Sequence, residues 1–507
     1  MSWSRDSRWE ECILDKSRKN NGLPQQCYTV LPFDGRLVTI TQGKPGYSLS
    51  PLNQDDRQKN RTIADEKNKE IGGITPEQEK AMQTGAVIGW EFVHLIDNVH
   101  VQSNEIIELE ISRPGSFGSE TSASLSLPAT PYELADALDR ARIIDERVIY
   151  SMEIMKCNPN YLPRFISPST NLYELNYLAQ RLATLSEWEL DCFEGMVIMD
   201  ATQTSYAPIP VDRLINMTNS MEHCQVVYEA ADDISLGKFY ADNDFVPQLE
   251  NLPQNVYEWL DFDKIGKEMR EGEGGAFTTH GYVVQNGEII QGYQSGDAIP
   301  RQKPEYTVLL QVTKGYFNDP DYDNDLSTLL KLPASDQELS HAVEEVGAVS
   351  PEECAFTAVD CIIPRLTEKI TDELEATNGD CYGVVNELAG QLSRLNREGG
   401  ISICKAMLTE APEDITLEEA LDFAYQTDEF LLLRETATPT DYARMELAKC
   451  SIPLREELFA GAELNHYGEK LMERNKAIPT EYGILISRNG QTVQQCLNRP
   501  VQGMEMR

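Results

Sequence analysis

Positive charge is what this 507-residue chain has least of: 44 lysines and arginines stand against 83 aspartates and glutamates, a formal net charge of −39. A surface so short of cations repels phosphate backbones. That excludes direct nucleic-acid binding and points to partners that themselves hold nucleic acid. Long apolar runs are missing too. None reaches the roughly eighteen residues of a spanning helix, and no basic segment followed by an apolar one opens the chain. A soluble, cytoplasmic protein with no membrane contact is therefore expected. Paired cysteines are absent: 11 cysteines are scattered from Cys12 to Cys496, Cys354 and Cys361 being the closest neighbours. Such spacing suits buried thiols in a reducing compartment, not a disulfide framework or a zinc site.

Catalytic and cofactor motifs fail one by one. The 6 histidines (His94, His100, His223, His280, His341, His466) form no paired ligand motif such as His-Glu-x-x-His. His341 with Glu344 and Glu345 reads as a salt-bridged helix surface, and His280 as a structural residue. Asp319, Asp321, Asp323 and Asp325 alternate like a calcium loop. Counting from Asp319, however, Asn324 and Leu330 stand where an EF-hand needs glycine and a bidentate glutamate. Gly272-Glu273-Gly274-Gly275 lacks the lysine of a phosphate loop and stands beside Glu268, Glu271 and Glu273, so it reads as a turn. Gly115-Ser116-Phe117-Gly118-Ser119 is not a nucleophile elbow. No nucleophile, base and oxyanion site assemble, so a non-enzyme without cofactor or metal is expected.

What the chain does have is a repeat. Leu127-Pro128-Ala129-Thr130 with Glu133-Leu134 returns as Leu332-Pro333-Ala334-Ser335 with Glu338-Leu339. The stretch from Asn176 to Leu185 matches Asn386 to Leu395, and the pair Gly266 and Gly281 matches Gly468 and Gly483. The offsets are 205, 210 and 202 residues, in constant order, which marks a tandem duplication. Charge follows the repeat: about −1 for residues 1–100, −20 for 101–300 and −18 for 301–507. The expected organisation is a head over 1–100, copy one over 103–298 and copy two over 304–495, joined by a linker near Gln291–Pro304.

Each copy reads as α+β, with a small sheet, a helical middle and a second small sheet. Ile106–Ile111 and Thr307–Val312 suit strands. Thr130 and Ser335 are helix N-caps, with proline at the first helical position of the first and Glu338 completing a capping box in the second. Leu172, Leu175, Leu178, Leu182 and Leu185 share one helix face, which leaves Glu187, Glu189, Asp191 and Glu194 facing water. Tyr282-Val283-Val284 and Ile484-Leu485-Ile486 run into Asn-Gly, a hairpin signal. In the head, Leu37–Thr41 suggests a strand and Thr75-Pro76-Glu77-Gln78 a helix start.

Copy one also carries a family likeness. Leu172-Tyr173-Glu174-Leu175-Asn176-Tyr177-Leu178-Ala179, Leu236-Gly237-Lys238-Phe239-Tyr240 and Trp259-Leu260-Asp261-Phe262-Asp263-Lys264-Ile265-Gly266, followed by Gly275-Ala276-Phe277 and Gly281-Tyr282, resemble the ArdA-type antirestriction family. Copy two departs further, with Ala443 in place of Gly237. The resemblance implies an elongated, multi-domain, non-enzymatic mimic of bent duplex DNA. Such a mimic fills the DNA groove of a type I restriction-modification enzyme, and family members dimerise through the last of three small domains. On that reading two tandem units form an internal pseudo-dimer, or a homodimer.

The expected partner surface is acidic and spread along both copies. In copy one it comprises Glu187, Glu189, Asp191 and Glu194, then Asp232, Asp233, Asp242 and Asp244, then Asp261, Asp263, Glu268, Glu271 and Glu273. In copy two it comprises Asp319, Asp321, Asp323 and Asp325, then Asp372, Glu373 and Glu375, then Glu418, Glu419 and Asp422. Duplex DNA carries one charge per about 1.7 Å, so the acids beyond the head match roughly 65–115 Å of duplex, depending on how many are neutralised by neighbouring bases. The expected partner is a DNA-binding host defence complex. The competing reading is an acidic scaffold or adaptor of a mobile element. Acidity for salt tolerance is the third, and the neutral head argues against it.

Overall fold

The computed structural model describes residues 105–113, 121–143, 150–167, 170–249, 253–295, 304–315, 327–449 and 461–497. The head over 1–100, with its expected strand and helix start, lies outside them, as do Asp319, Asp321, Asp323 and Asp325.

Each copy opens with the same small module. In copy one, β1 (Ile107–Ser112) pairs antiparallel with β2 (Ala123–Leu127), Ile107 opposite Leu127. Alternation sends Ile107, Leu109 and Ile111 inward, each fully buried. Helix α1 (Pro131–Arg140) starts at Thr130, whose side chain accepts from Glu133 N while the Glu133 carboxylate accepts from Thr130 N. Strand β3 (Ser151–Cys157) completes the order β2-β1-β3.

The middle of copy one holds α2 (Leu172–Ala183), α3 (Glu187–Gln203), α4 (Val211–Thr218) and β4 (Cys224–Val227). Its end holds α5 (Asp233–Asp242), α6 (Gln254–Tyr257), α7 (Phe262–Glu273), β5 (Ala276–Phe277) and β6 (Tyr282–Gln285). The strands form a sheet of order β4-β6-β5.

Copy two repeats the plan. Strands β7 (Val308–Lys314), β8 (Ser327–Leu332) and β9 (Cys354–Cys361) flank α8 (Asp336–Glu345) in the order β8-β7-β9, with Val308 opposite Leu332. Helices α9 (Thr367–Ala376), α10 (Tyr382–Glu398), α11 (Ile401–Thr409) and α12 (Leu417–Tyr425) make the middle. Then follow β10 (Phe430–Leu433), α13 (Pro439–Lys449), α14 (Gly461–Asn475), β11 (Ala477–Thr480), β12 (Gly483–Ser487) and the short α15 (Val493–Cys496). The last sheet runs β10-β12-β11. The class is α+β, helices with small antiparallel sheets.

Two glycine contacts recur so closely that they bind the copies together as one design. A Cβ on Gly266 would fall 1.8 Å from Asp233 O, and one on Gly468 would fall 1.9 Å from Pro439 O. In both copies, therefore, only glycine lets the two last-module helices cross at that depth. Gly281 lies equally tight on Val227 O and Gly483 on Leu433 O, at 2.5 and 2.6 Å.

Packing does not follow the copies. Residues 157–295 lie in one compact unit, whereas 107–156 pack with 304–497 in the other. In that second unit, α1 carries Tyr132 into the large core built on Val308, Leu310, Phe356, Leu388 and Phe423.

Two expectations change. The Asn-Gly pairs turn no hairpin, because β6 and β12 are central strands already paired on both sides. The tight turn comes before them, closed by Thr278 Oγ1 to Gly281 O at 2.9 Å and by Thr480 Oγ1 to Gly483 O at 2.8 Å. The expected linker is also anchored at its start. Tyr293 is buried, its hydroxyl donates to Glu174 at 3.0 Å, and its carbonyl accepts from Asn216 at 2.7 Å. Residues 296–303 lie outside the described residues.

Candidate partner-binding surface

Of the four acids expected to face water on α3, only one does. Glu187 is exposed, but Glu189, Asp191 and Glu194 are 3, 5 and 5% exposed, which corrects the expectation of a solvated face. The leucine stripe ends with α2, Leu185 lying beyond it, and the acids stand on a separate helix, α3, which packs against α4, β4 and the β5–β6 hairpin and is buried nearly all round. Each carboxylate has local work. Glu189 accepts from Ser186 N and Oγ, both at 2.8 Å, and its desolvation raises its pKa despite those bonds. Asp191 Oδ1 meets His280 Nδ1 at 2.5 Å, and Glu194 accepts from Thr279 Oγ1 at 2.9 Å. Burial lifts the Glu194 carboxyl as well, ahead of the opposing Thr279 bonds. Together these two carboxylates hold the β5–β6 turn, Asp191 through His280.

The last module of copy one presents its acids to solvent. Asp232 caps α5, accepting from Ser235 N at 2.8 Å, and the Ser235 bonds hold its carboxyl below the ordinary value. Asp261 caps α7 through Lys264 N at 3.2 Å. Asp242, Asp244, Glu268 and Glu271 are exposed, Asp242 accepting from the Tyr257 hydroxyl. Asp233 is half-buried in a two-point pair with Arg270 at 2.7 and 3.1 Å. Asp263 pairs with Lys267 at 2.6 Å. Glu273 accepts from the Tyr240 and Tyr282 hydroxyls at 2.6 and 3.1 Å, fastening helix to sheet.

Among these acids stand apolar side chains that sequence reasoning did not assign to a surface. Trp259 is 86% exposed, with Ile234 and Phe245 also open to water. A tryptophan left bare beside Asp261 is the kind of anchor that dominates protein interfaces.

In copy two, Asp372, Glu375, Glu418 and Asp422 are exposed. Glu373 is half-buried and caps the neighbouring helix, accepting from Leu417 N at 3.0 Å while pairing with Lys369 at 3.4 Å. Glu419 completes a capping box with Thr416. Lys405, 5% exposed, meets Asp136 at 2.7 Å and Asp139 at 3.6 Å, and Arg434 also pairs with Asp139. Acids are buried more often than bases among the described residues: Asp136, Glu174, Glu189, Asp191, Glu194, Asp200 and Asp360 against Lys405 and Arg142.

No group of three or more histidine, cysteine, aspartate or glutamate side chains placed to hold a metal occurs among the described residues. No described helix is long and apolar enough to cross a membrane. Set beside known proteins, the chain matches no family model, and no curated protein is similar to it.

Proposed function

We propose that this chain is an acidic DNA mimic that inhibits a host defence system by occupying the DNA-binding groove of a type I restriction-modification enzyme, as in the ArdA-type family that copy one resembles. The observation that carries this reading is the confinement of the acidic excess to the two copies, −20 and −18 against −1 for the head. Supporting it, solvent-facing carboxylates recur on α5, α7, α9 and α12. Two tandem ArdA-like units in one chain would supply what two subunits supply elsewhere, since covalent linkage raises the local concentration of the second half to about millimolar.

Competition decides it. Purified protein should leave duplex DNA unbound, displace DNA from a type I restriction complex at about 50 mM salt, and lose most of that affinity by about 300 mM. Single neutralisations such as Asp372→Asn should change inhibition less than about threefold. Joint neutralisation of Asp372, Glu375, Glu418 and Asp422 should cost more than about tenfold. Binding to a defence complex that survives high salt would favour an acidic adaptor. One exposed carboxylate whose loss abolishes inhibition in a folded protein would favour a local active site.

A further inference from the structure

The ends of the two first-module helices show where the copies part. Beyond α8 the chain turns through Gly347 at φ 74°, and beyond α1 through Arg142 at φ 60°. Glycine takes that left-handed conformation freely, whereas a side chain is strained there. Otherwise the two ends are built alike: Lys314 Nζ donates to Gly347 O at 2.7 Å, and Arg113 Nη2 donates to Arg142 O at 2.5 Å. The helix end is complete without an arginine side chain, as copy two demonstrates.

Arg142 is nevertheless only 4% exposed. Its Nη2 donates to Thr480 O at 3.0 Å, while its Nε and Nη1 are buried with no acceptor among the described residues. Arg113 Nε and Arg434 Nε are in the same condition. Arg434 borders the same β11–β12 turn: a Cβ on Gly483 would fall 3.1 Å from its Cα. The nearby acids are engaged elsewhere. Asp139 pairs with Arg434 and Lys405, Glu435 with Arg113 at 3.7 Å, and Glu481 with Arg140 at 3.7 Å. Arg142 has no carboxylate within ion-pair distance among the described residues. Burial, with Arg434 and Arg113 adding to it against Asp139, lowers the Arg142 guanidinium to about 10, so it is still a cation at neutral pH. A buried cation with idle donors, beside two more guanidiniums, is unfavourable until an anion completes it.

We propose that Arg142, with Arg113 and Arg434, forms a binding site for a small tetrahedral oxyanion of the phosphate or sulfate class, beside the β11–β12 turn. The planar guanidinium fork suits two oxygens of such an anion, whose charge answers Arg142, the one of the three with no carboxylate partner among the described residues. The anion would join the first module of copy one to the last module of copy two, and the strained backbone at Arg142 is the cost of placing its guanidinium there. Copy two has Gly347 at the equivalent position and has no such site.

The test is thermal unfolding and calorimetric titration of the full-length chain with sodium phosphate and with sodium sulfate, against sodium chloride at matched ionic strength. Phosphate or sulfate should raise Tm saturably by about 2–4 °C, with one anion bound per chain. Arg142→Gly installs the residue of the other copy at a position that suits it, so this variant should fold, by circular dichroism, and lose the response. Arg434→Gln should weaken binding at least about tenfold. A response that never saturates, or an R142G variant that binds within about twofold of the parent, would overturn the assignment.

Discussion

Replacing Asp360 with asparagine should remove a pH dependence that one buried carboxyl imposes on the unit formed by 107–156 and 304–497. Asp360 lies in β9, 2% exposed, and accepts from the Tyr306 hydroxyl at 2.8 Å. Burial pushes its pKa from 3.8 up to about 7, the Glu133 carboxylate adds to the rise, and bonds from Thr130 and Tyr306 oppose it. The folded chain therefore keeps a proton that the unfolded chain has already released. The stabilisation is complete below pH 3.8, falls as pH rises, and is gone above about 7. At about 1.36 kcal/mol per pH unit the whole range is worth on the order of 4 kcal/mol, of which about 2 kcal/mol lies between pH 5.5 and 8.5. Urea unfolding at those two pH values, in parent and Asp360→Asn proteins, isolates this share, because every other titrating group is common to both. The parent should lose about 2 kcal/mol more than the variant on going to pH 8.5. An identical loss in both proteins would show that Asp360 ionises freely in the fold and that its burial carries no such linkage.

Lys405→Met should destabilise the same unit by about 1.5–3 kcal/mol in chemical denaturation, because the buried Asp136 loses one of its partners while keeping Arg140 at 3.1 Å and the Tyr482 hydroxyl at 2.9 Å. Gly266→Ala sets a methyl 1.8 Å from Asp233 O. It should cost about 1–3 kcal/mol by calorimetry as α5 and α7 are pushed apart.

The parts of this protein that were legible in its sequence are those decided within a few residues. Thr130 with Glu133 and Ser335 with Glu338 form capping boxes because cap and partner sit three positions apart on the same first turn. The strands at Ile107 and Val308, the buried stripe from Leu172 to Leu182 and the solvated His341–Glu345 pair follow from periodicity alone. The recurrence of anchors is a property of residue order, and the strand orders β2-β1-β3 and β8-β7-β9 recur with it.

Tertiary structure alone decided the rest. Asp191 and Glu194 look like part of a wet face until the β5–β6 turn is brought over them, and the Asp191–His280 bond spans 89 positions. Two copies in series suggest two self-contained bodies, yet α1 of copy one packs with copy two, where the bond from the Tyr482 hydroxyl to Asp136 joins residues 346 positions apart. Arg142 is one of 44 basic residues in the sequence, and only the folded chain shows it strained, buried and short of acceptors where its twin is a glycine. The physical reason is common to all three. Caps and periodicity are set by neighbours along the chain, whereas burial and ionic partnership depend on which distant surface arrives to exclude water, and nothing local encodes that arrival.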